Sequence, residues 1–305
     1  MMQYKIQQSI IYLLLVLGVL GNSATLVILK FEKGLRTFTK MIFALQAVAD
    51  LMWVTWQAIN KVYGSLQPNH SRLIDRLIFF MTNTSACCSL WCVDVIALER
   101  MCLVMWPTNP IIRRAAFKEA VIACFSLLLF SAALSALEMF CFNYKGAWQL
   151  VLWYILFNFS PLFISFISSA VFLYKIKTNT RRINPDQQNQ LNQPSVLPIK
   201  IVAAASTFSF VLLMPLTCLN IRIAYYKFPN PVQELVELNI YYWFQKIWFT
   251  NFSLKFFLYT IFIRHFRKGF VDICKKVKNK FIRNWNENID KKCSQLESPG
   301  VEEIK

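Results

Sequence analysis

Apolar residues in this chain gather in long runs separated by short polar or basic gaps. Seven such runs stand out, at roughly 7–29, 41–63, 77–104, 117–141, 148–174, 199–225 and 238–263. A helix rises about 1.5 Å per residue, so each run is long enough for a hydrocarbon layer of about 30 Å. Lipid offers backbone polar groups no partner, and a helix satisfies its own. The pattern predicts an all-α membrane protein built as a seven-transmembrane helix bundle. The third and seventh runs carry internal polar residues and so stand out less. The gaps are short, which makes consecutive helices antiparallel neighbours. No internal repeat is visible.

Composition agrees with this. The chain has 305 residues, 56% hydrophobic and 16% charged, with only 7 glycines, whereas a soluble domain of that length carries more charge. The formal charge of +17 raises the question of nucleic acid, but its placement excludes that partner. With the N-terminus outside, the inner segments 30–40, 99–119, 175–200 and 264–305 hold 24 of the 33 lysines and arginines. Orientation follows the excess of basic residues on the cytosolic side, giving an N-terminus outside and a C-terminus in the cytosol. The basic surplus then meets anionic lipid of the inner leaflet. Asn69-His70-Ser71 is a glycosylation acceptor in the gap between the second and third runs, which this topology puts outside. Similar triplets at Asn83, Asn158 and Asn251 fall within runs and are expected to be inaccessible.

The first run is too long for a signal peptide and lacks a small-residue cleavage site, so an uncleaved first span is expected. Little precedes it, and no folded N-terminal domain is expected. The segment 177–200 is rich in Asn, Gln and Pro and reads as a flexible cytosolic loop. Beyond the seventh run, Phe266, Phe270, Val271, Cys274, Val277, Phe281 and Ile282 form an apolar stripe among lysines, predicting an interfacial amphipathic helix. Cys274 at its membrane edge is either acylated or a plain cysteine. The organisation expected is a membrane domain at 1–264, the interfacial helix at 265–282 and a disordered cytosolic tail at 283–305. Of the nine cysteines, only Cys141 and Cys218 approach the oxidising side, where two free thiols are a simpler reading than a disulfide.

Motifs within the runs are more specific than their number. The first run has Gly21-Asn22, followed by the turn Lys33-Gly34-Leu35-Arg36-Thr37. The second has Leu45 and Ala49-Asp50-Leu51, and the third ends in Glu99-Arg100-Met101, with Pro107 beyond. Single prolines, Pro161 and Pro215, stand in the fifth and sixth runs. The seventh ends in Tyr259, with Phe266 and Arg267 opening the amphipathic helix. In order and spacing this resembles the rhodopsin-like (class A) family of G-protein-coupled receptors from residue 1 to about residue 282, as a divergent member.

The departures are many. The family's Asp/Glu-Arg-Tyr motif reads Glu99-Arg100-Met101, and Asp75 stands where the third span usually has a disulfide cysteine. The sixth-span Cys-Trp-x-Pro reads Leu212-Leu213-Met214-Pro215, and Ser209 and Ser169 replace the usual phenylalanine and tyrosine. Asn-Pro-x-x-Tyr reads Lys255-Phe256-Phe257-Leu258-Tyr259. The scaffold is better kept than the switch.

The resemblance implies a role for each retained position. Glu99 would hold Arg100 until a rearrangement frees it for a heterotrimeric G protein; the plainer alternative is an interfacial ion pair worth about 0–1 kcal/mol. Pro161 and Pro215 bend their helices, either as levers or as static kinks. In the family, an acid on the second span, a third-span serine and two seventh-span residues hold sodium, here Asp50, Ser89, Asn251 and Lys255, with Asn22 close by in the network. A lysine among those ligands predicts an ammonium in the ion's place, paired with Asp50. Snorkelling of the lysine stem to the interface, or pairing with Asp94, are the alternatives.

The ligand is less well defined. Amine receptors of the family use an aspartate where Thr82 stands, and visual pigments a lysine where Phe249 stands, so neither subclass fits. Thr82, Asn83, Trp56, Tyr242 and Phe249 are the pocket candidates, within an aromatic vestibule that an interfacial belt would explain equally. The reading is a plasma-membrane receptor that carries an extracellular peptide or small apolar signal to a G protein, needing no cofactor or metal. A constitutive or non-coupling relative, or a small-solute transporter, are the alternatives. An enzyme is not expected: His70 and His265 are peripheral and no nucleophile constellation appears.

Overall fold

The polarity of the helices is inverted relative to a soluble protein. A computed structural model describes residues 2–31, 35–66, 71–106, 117–141, 160–180, 231–262 and 264–296, with the single positions 211, 215 and 218. The elements described are helical: α1 (Met2–Phe31), α2 (Thr37–Leu66), α3 (Arg72–Met105), α4 (Phe117–Cys141), α5 (Ser160–Thr180), α6 (Pro231–Phe262) and α7 (Arg264–Leu296). On α4, Phe117, Ile122, Phe125 and Leu129 are more than half exposed, while Ser131, Ser135 and Glu138 are buried. On α1, Tyr12, Leu13, Val16 and Leu20 face outward, and Asn22 and Thr25 inward. Such a surface is stable against lipid rather than water. Among the described residues, Ser9–Phe31, Thr37–Gly64 and Phe117–Met139 are long and apolar enough to cross a membrane. Helices α3 and α6 carry charge inside, at Asp94, Glu99, Lys246 and Lys255, which breaks up their apolar runs.

Helix α1 packs on α2 and α6, α3 packs on α2, α4 and α5, and α7 folds back against α1 and α6. Small residues permit the closest approaches. A Cβ on Gly18 would lie 2.9 Å from Val54 Cγ2 and 3.0 Å from Ser253 Oγ, and one on Gly21 would lie 2.9 Å from Phe256 Cβ. Along α1 and α6 these contacts advance together, so the two helices run parallel. The contacts of α2 with α6 run in opposite senses, Gln46 with Tyr259 and Trp53 with Phe252, so that pair is antiparallel.

Helix α7 departs from expectation. It continues to Leu296, whereas the sequence reading ends the helix at 282 and leaves 283–305 disordered. Ile282, Trp285 and Ile289 extend the exposed apolar stripe, and Arg283 Nε lies 3.6 Å from Glu287 Oε1 one turn on. At its start Arg267 Nη1 donates to the Ile261 carbonyl, and Phe270 packs on Phe256. The sixth run falls outside the described residues except at positions 211, 215 and 218, as do residues 148–159 of the fifth.

Candidate functional site

The centre of the bundle holds a polar layer between two apolar clusters. On one side lie Ile42, Phe43, Cys92, Ile96, Phe256 and Tyr259, and on the other Ile11, Trp53, Val54, Phe249 and Phe252. Between them Lys255, 2% exposed, extends Nζ to 3.2 Å from Asp50 Oδ1 and donates to Ser89 Oγ at 2.5 Å. Ser89 in turn donates to Asp50 Oδ1 at 2.5 Å. Three helices thus contribute one group each to a closed set: a cation, an anion and a hydroxyl that accepts from one and donates to the other. The ammonium also lies 5.0 Å from the centre of the Phe252 ring. Burying either charge alone is costly, and a hydrogen-bonded partner offsets much of that.

Around this core the remaining polar residues tie helices together. Asn22 Nδ2 donates to the carbonyls of Gly18 at 2.9 Å and Phe252 at 3.1 Å, joining α1 to α6. Tyr259 donates its hydroxyl to Gln46 Oε1 at 2.8 Å and meets the Phe43 ring edge-on. Asn251 is wholly buried one turn before Lys255. Trp53 is stacked on Phe252, centroids 4.4 Å apart, and meets Phe249 and Trp248 edge-on.

At the other end of α3, Glu99 accepts from Arg36 Nη1 at 3.0 Å and from Thr39 Oγ1 at 2.7 Å. The acid of the Glu99-Arg100 pair is therefore held by Arg36 just before α2 and Thr39 in its first turn. The Arg100 side chain lies outside the described residues; its backbone continues α3. Pro161 is buried in the first turn of α5 and Pro215 is helical.

The pocket candidates are divided between two walls. Thr82 is buried on α3, and neighbouring Asn83 donates Nδ2 to Glu138 Oε2 on α4 at 2.6 Å. Phe249 belongs to the Trp53 cluster, and Trp56 is half-buried on α2. The Tyr242 side chain and Asn69 lie outside the described residues. Cys274 is exposed on α7, and Cys218 carries a free thiol. Four groups at work here escaped the sequence reading. Gln46 had a usable signal, one turn before Asp50 on the same face. Thr39, Glu138 and Lys246 had only their polarity within or beside an apolar run.

No family model matches the chain. Over 129 residues it is 26% identical to the galanin-like G-protein coupled receptor npr-9 of Caenorhabditis elegans, a stretch covering 41% of this chain and 29% of that receptor. The chain thus spans less than a third of that relative's length. The likeness is to part of a G-protein-coupled receptor, and together with the apolar helices it supports a membrane protein.

Proposed function

We propose that the chain is a divergent rhodopsin-like receptor, a seven-helix bundle over residues 1–264. In this reading it lies in the plasma membrane, N-terminus outside and glycosylated at Asn69, C-terminus in the cytosol. It transmits an extracellular peptide or small apolar ligand to a heterotrimeric G protein through Arg100, with Glu99, Tyr259, Pro161 and Pro215 as the switch. Helix α7 lies along the anionic inner leaflet, with Cys274 as an acylation site. The observation that carries the reading is the meeting of Asp50, Ser89 and Lys255, drawn from three separate motifs of one family into a single hydrogen-bonded group.

That group does not fit the sodium ion that the resemblance implies. A cation between Asp50 and Ser89 would stand against the ammonium, which already takes both oxygens. Lys255 serves instead as a tethered counter-ion. The coupling reading is tested by second-messenger output from cells expressing the chain, screened with peptide and lipid libraries and chimeric G proteins. Output that Arg100→Ala abolishes at equal surface expression supports it; no output with any G protein argues for a non-coupling relative. Output without any ligand supports the constitutive alternative, which the missing sixth-span tryptophan, replaced by Leu213, favours.

A further inference from the structure

Helix α7 crosses the end of α1 so closely that side chains of the two helices share one small area. A Cβ on Gly269 would lie 3.0 Å from Ile28 Cγ2. Two turns further along α7, Lys276 Nζ stands 5.0 Å from the centre of the Phe31 ring. Lys30 Nζ stands 6.0 Å from the same centre. The Phe31 ring, 59% exposed at the end of α1, thus has an ammonium beside it from each of two helices. Among the described residues neither ammonium has an acid partner.

Acids are few around this ring. Helix α1 holds none, and α6 holds none after Glu237. On α7, Asp272 stands one turn before Lys276, and Glu287, three turns beyond it, lies 3.6 Å from Arg283. Glu32 follows Phe31 in sequence and lies outside the described residues. Lys33 and Lys275 balance Glu32 and Asp272 in number, which leaves Lys30, Lys276 and Lys280 in surplus.

An aromatic ring flanked by ammoniums suits a phosphorylated polyol. The negative face of the ring attracts the polarised C–H groups of the polyol, and the ammoniums take its phosphates. Lysine stems are flexible, so two of them adjust to two phosphates on one ring. Phosphatidylserine fits less well, because its own ammonium would stand against Lys30 and Lys276.

We propose that Lys30, Phe31 and Lys276 form a site for the headgroup of a phosphatidylinositol bisphosphate of the inner leaflet. The inositol ring rests on Phe31, and its phosphates meet the two ammoniums. The proposal rests on the reading that α7 lies along that leaflet, and it adds one lipid class at one place.

The test uses the full chain purified in dodecyl maltoside, with bound molecules counted by native mass spectrometry. The probes are dioctanoyl phosphatidylinositol bisphosphate, dioctanoyl phosphatidylserine and free inositol trisphosphate. Saturable binding of the bisphosphate lipid is expected, about tenfold or more tighter than that of either other probe. Lys30→Gln and Lys276→Gln should each weaken it about fivefold, and the double variant about twentyfold. Lys276→Arg should keep it, and Phe31→Leu should weaken it. Lys291→Gln with Lys292→Gln, the same loss of charge four turns along α7, should leave it unchanged. No loss in the Lys30 and Lys276 double variant, or an equal loss in the Lys291 and Lys292 one, would overturn the site. Free inositol trisphosphate bound as tightly as the lipid would overturn the lipid assignment. Both lipids bound alike, and both lost in the Lys30 and Lys276 variant, would overturn the headgroup assignment while the leaflet reading stands. Binding of neither lipid would overturn both.

Discussion

Lys255 Nζ and Asp50 Oδ1 lie 3.2 Å apart in the middle of the bundle, on side chains 2% and 1% exposed, 205 residues apart in the chain. Ser89 bridges them, so the three groups act as a unit. Removing one partner and removing both should therefore have very different effects.

Asp50→Asn or Lys255→Met alone strands a buried charge and should destabilise by about 3–5 kcal/mol. The double variant should recover most of that loss. Thermal unfolding of the four proteins in one detergent measures the coupling; additive effects would mean that the two side chains do not interact.

Gly21→Val should lower stability and surface expression. Its Cβ would lie 2.9 Å from Phe256 Cβ, an atom fixed to the backbone, so α1 and α6 must separate. A cost of about 1–3 kcal/mol is expected. Gly269→Ala should be milder, because its nearest neighbour is a terminal carbon, Ile28 Cγ2, at 3.0 Å.

Thr39→Ala and Arg36→Gln each withdraw a donor from Glu99, and Glu99→Gln removes the negative charge that accepts from both. All three should raise ligand-independent second-messenger output in the same direction, with stability changed by about 1 kcal/mol or less. Output unchanged in all three would show that this carboxylate does not restrain the resting state.

Helix α7 should show slowed amide hydrogen exchange as far as Ile289 when the full chain sits in nanodiscs containing phosphatidylserine. Trp285→Ser with Ile289→Ser should shorten the protected stretch to about residue 282. Protection that ends there in the natural chain would contradict the role given to the extended stripe.

Much of this could be read from the sequence wherever spacing alone carries the information. The run at 117–141 and helix α4 share the same bounds, because one uninterrupted apolar stretch has only one way to be helical in lipid. Lys255, Asp50 and Ser89 could be named together because each stands a fixed number of residues from a motif position. The end of α7 could not: Asn284, Asn286, Glu287 and Asn288 make the stretch look polar, and only every third or fourth residue is apolar. Partners such as Gln46 for Tyr259, Thr39 for Glu99 and Glu138 for Asn83 depend on how far each helix is rotated against its neighbour. That rotation is set by packing, at glycines 18 and 21 for example, and periodicity within one helix does not contain it.

The role of Lys255 as a built-in counter-ion is tested most directly by the unfolding midpoint of the purified chain, titrated with sodium chloride against N-methylglucamine chloride at constant ionic strength. The natural chain should show no sodium-specific change, and Lys255→Asn should gain a saturable, sodium-specific rise. A sodium-specific rise in the natural chain would contradict the account.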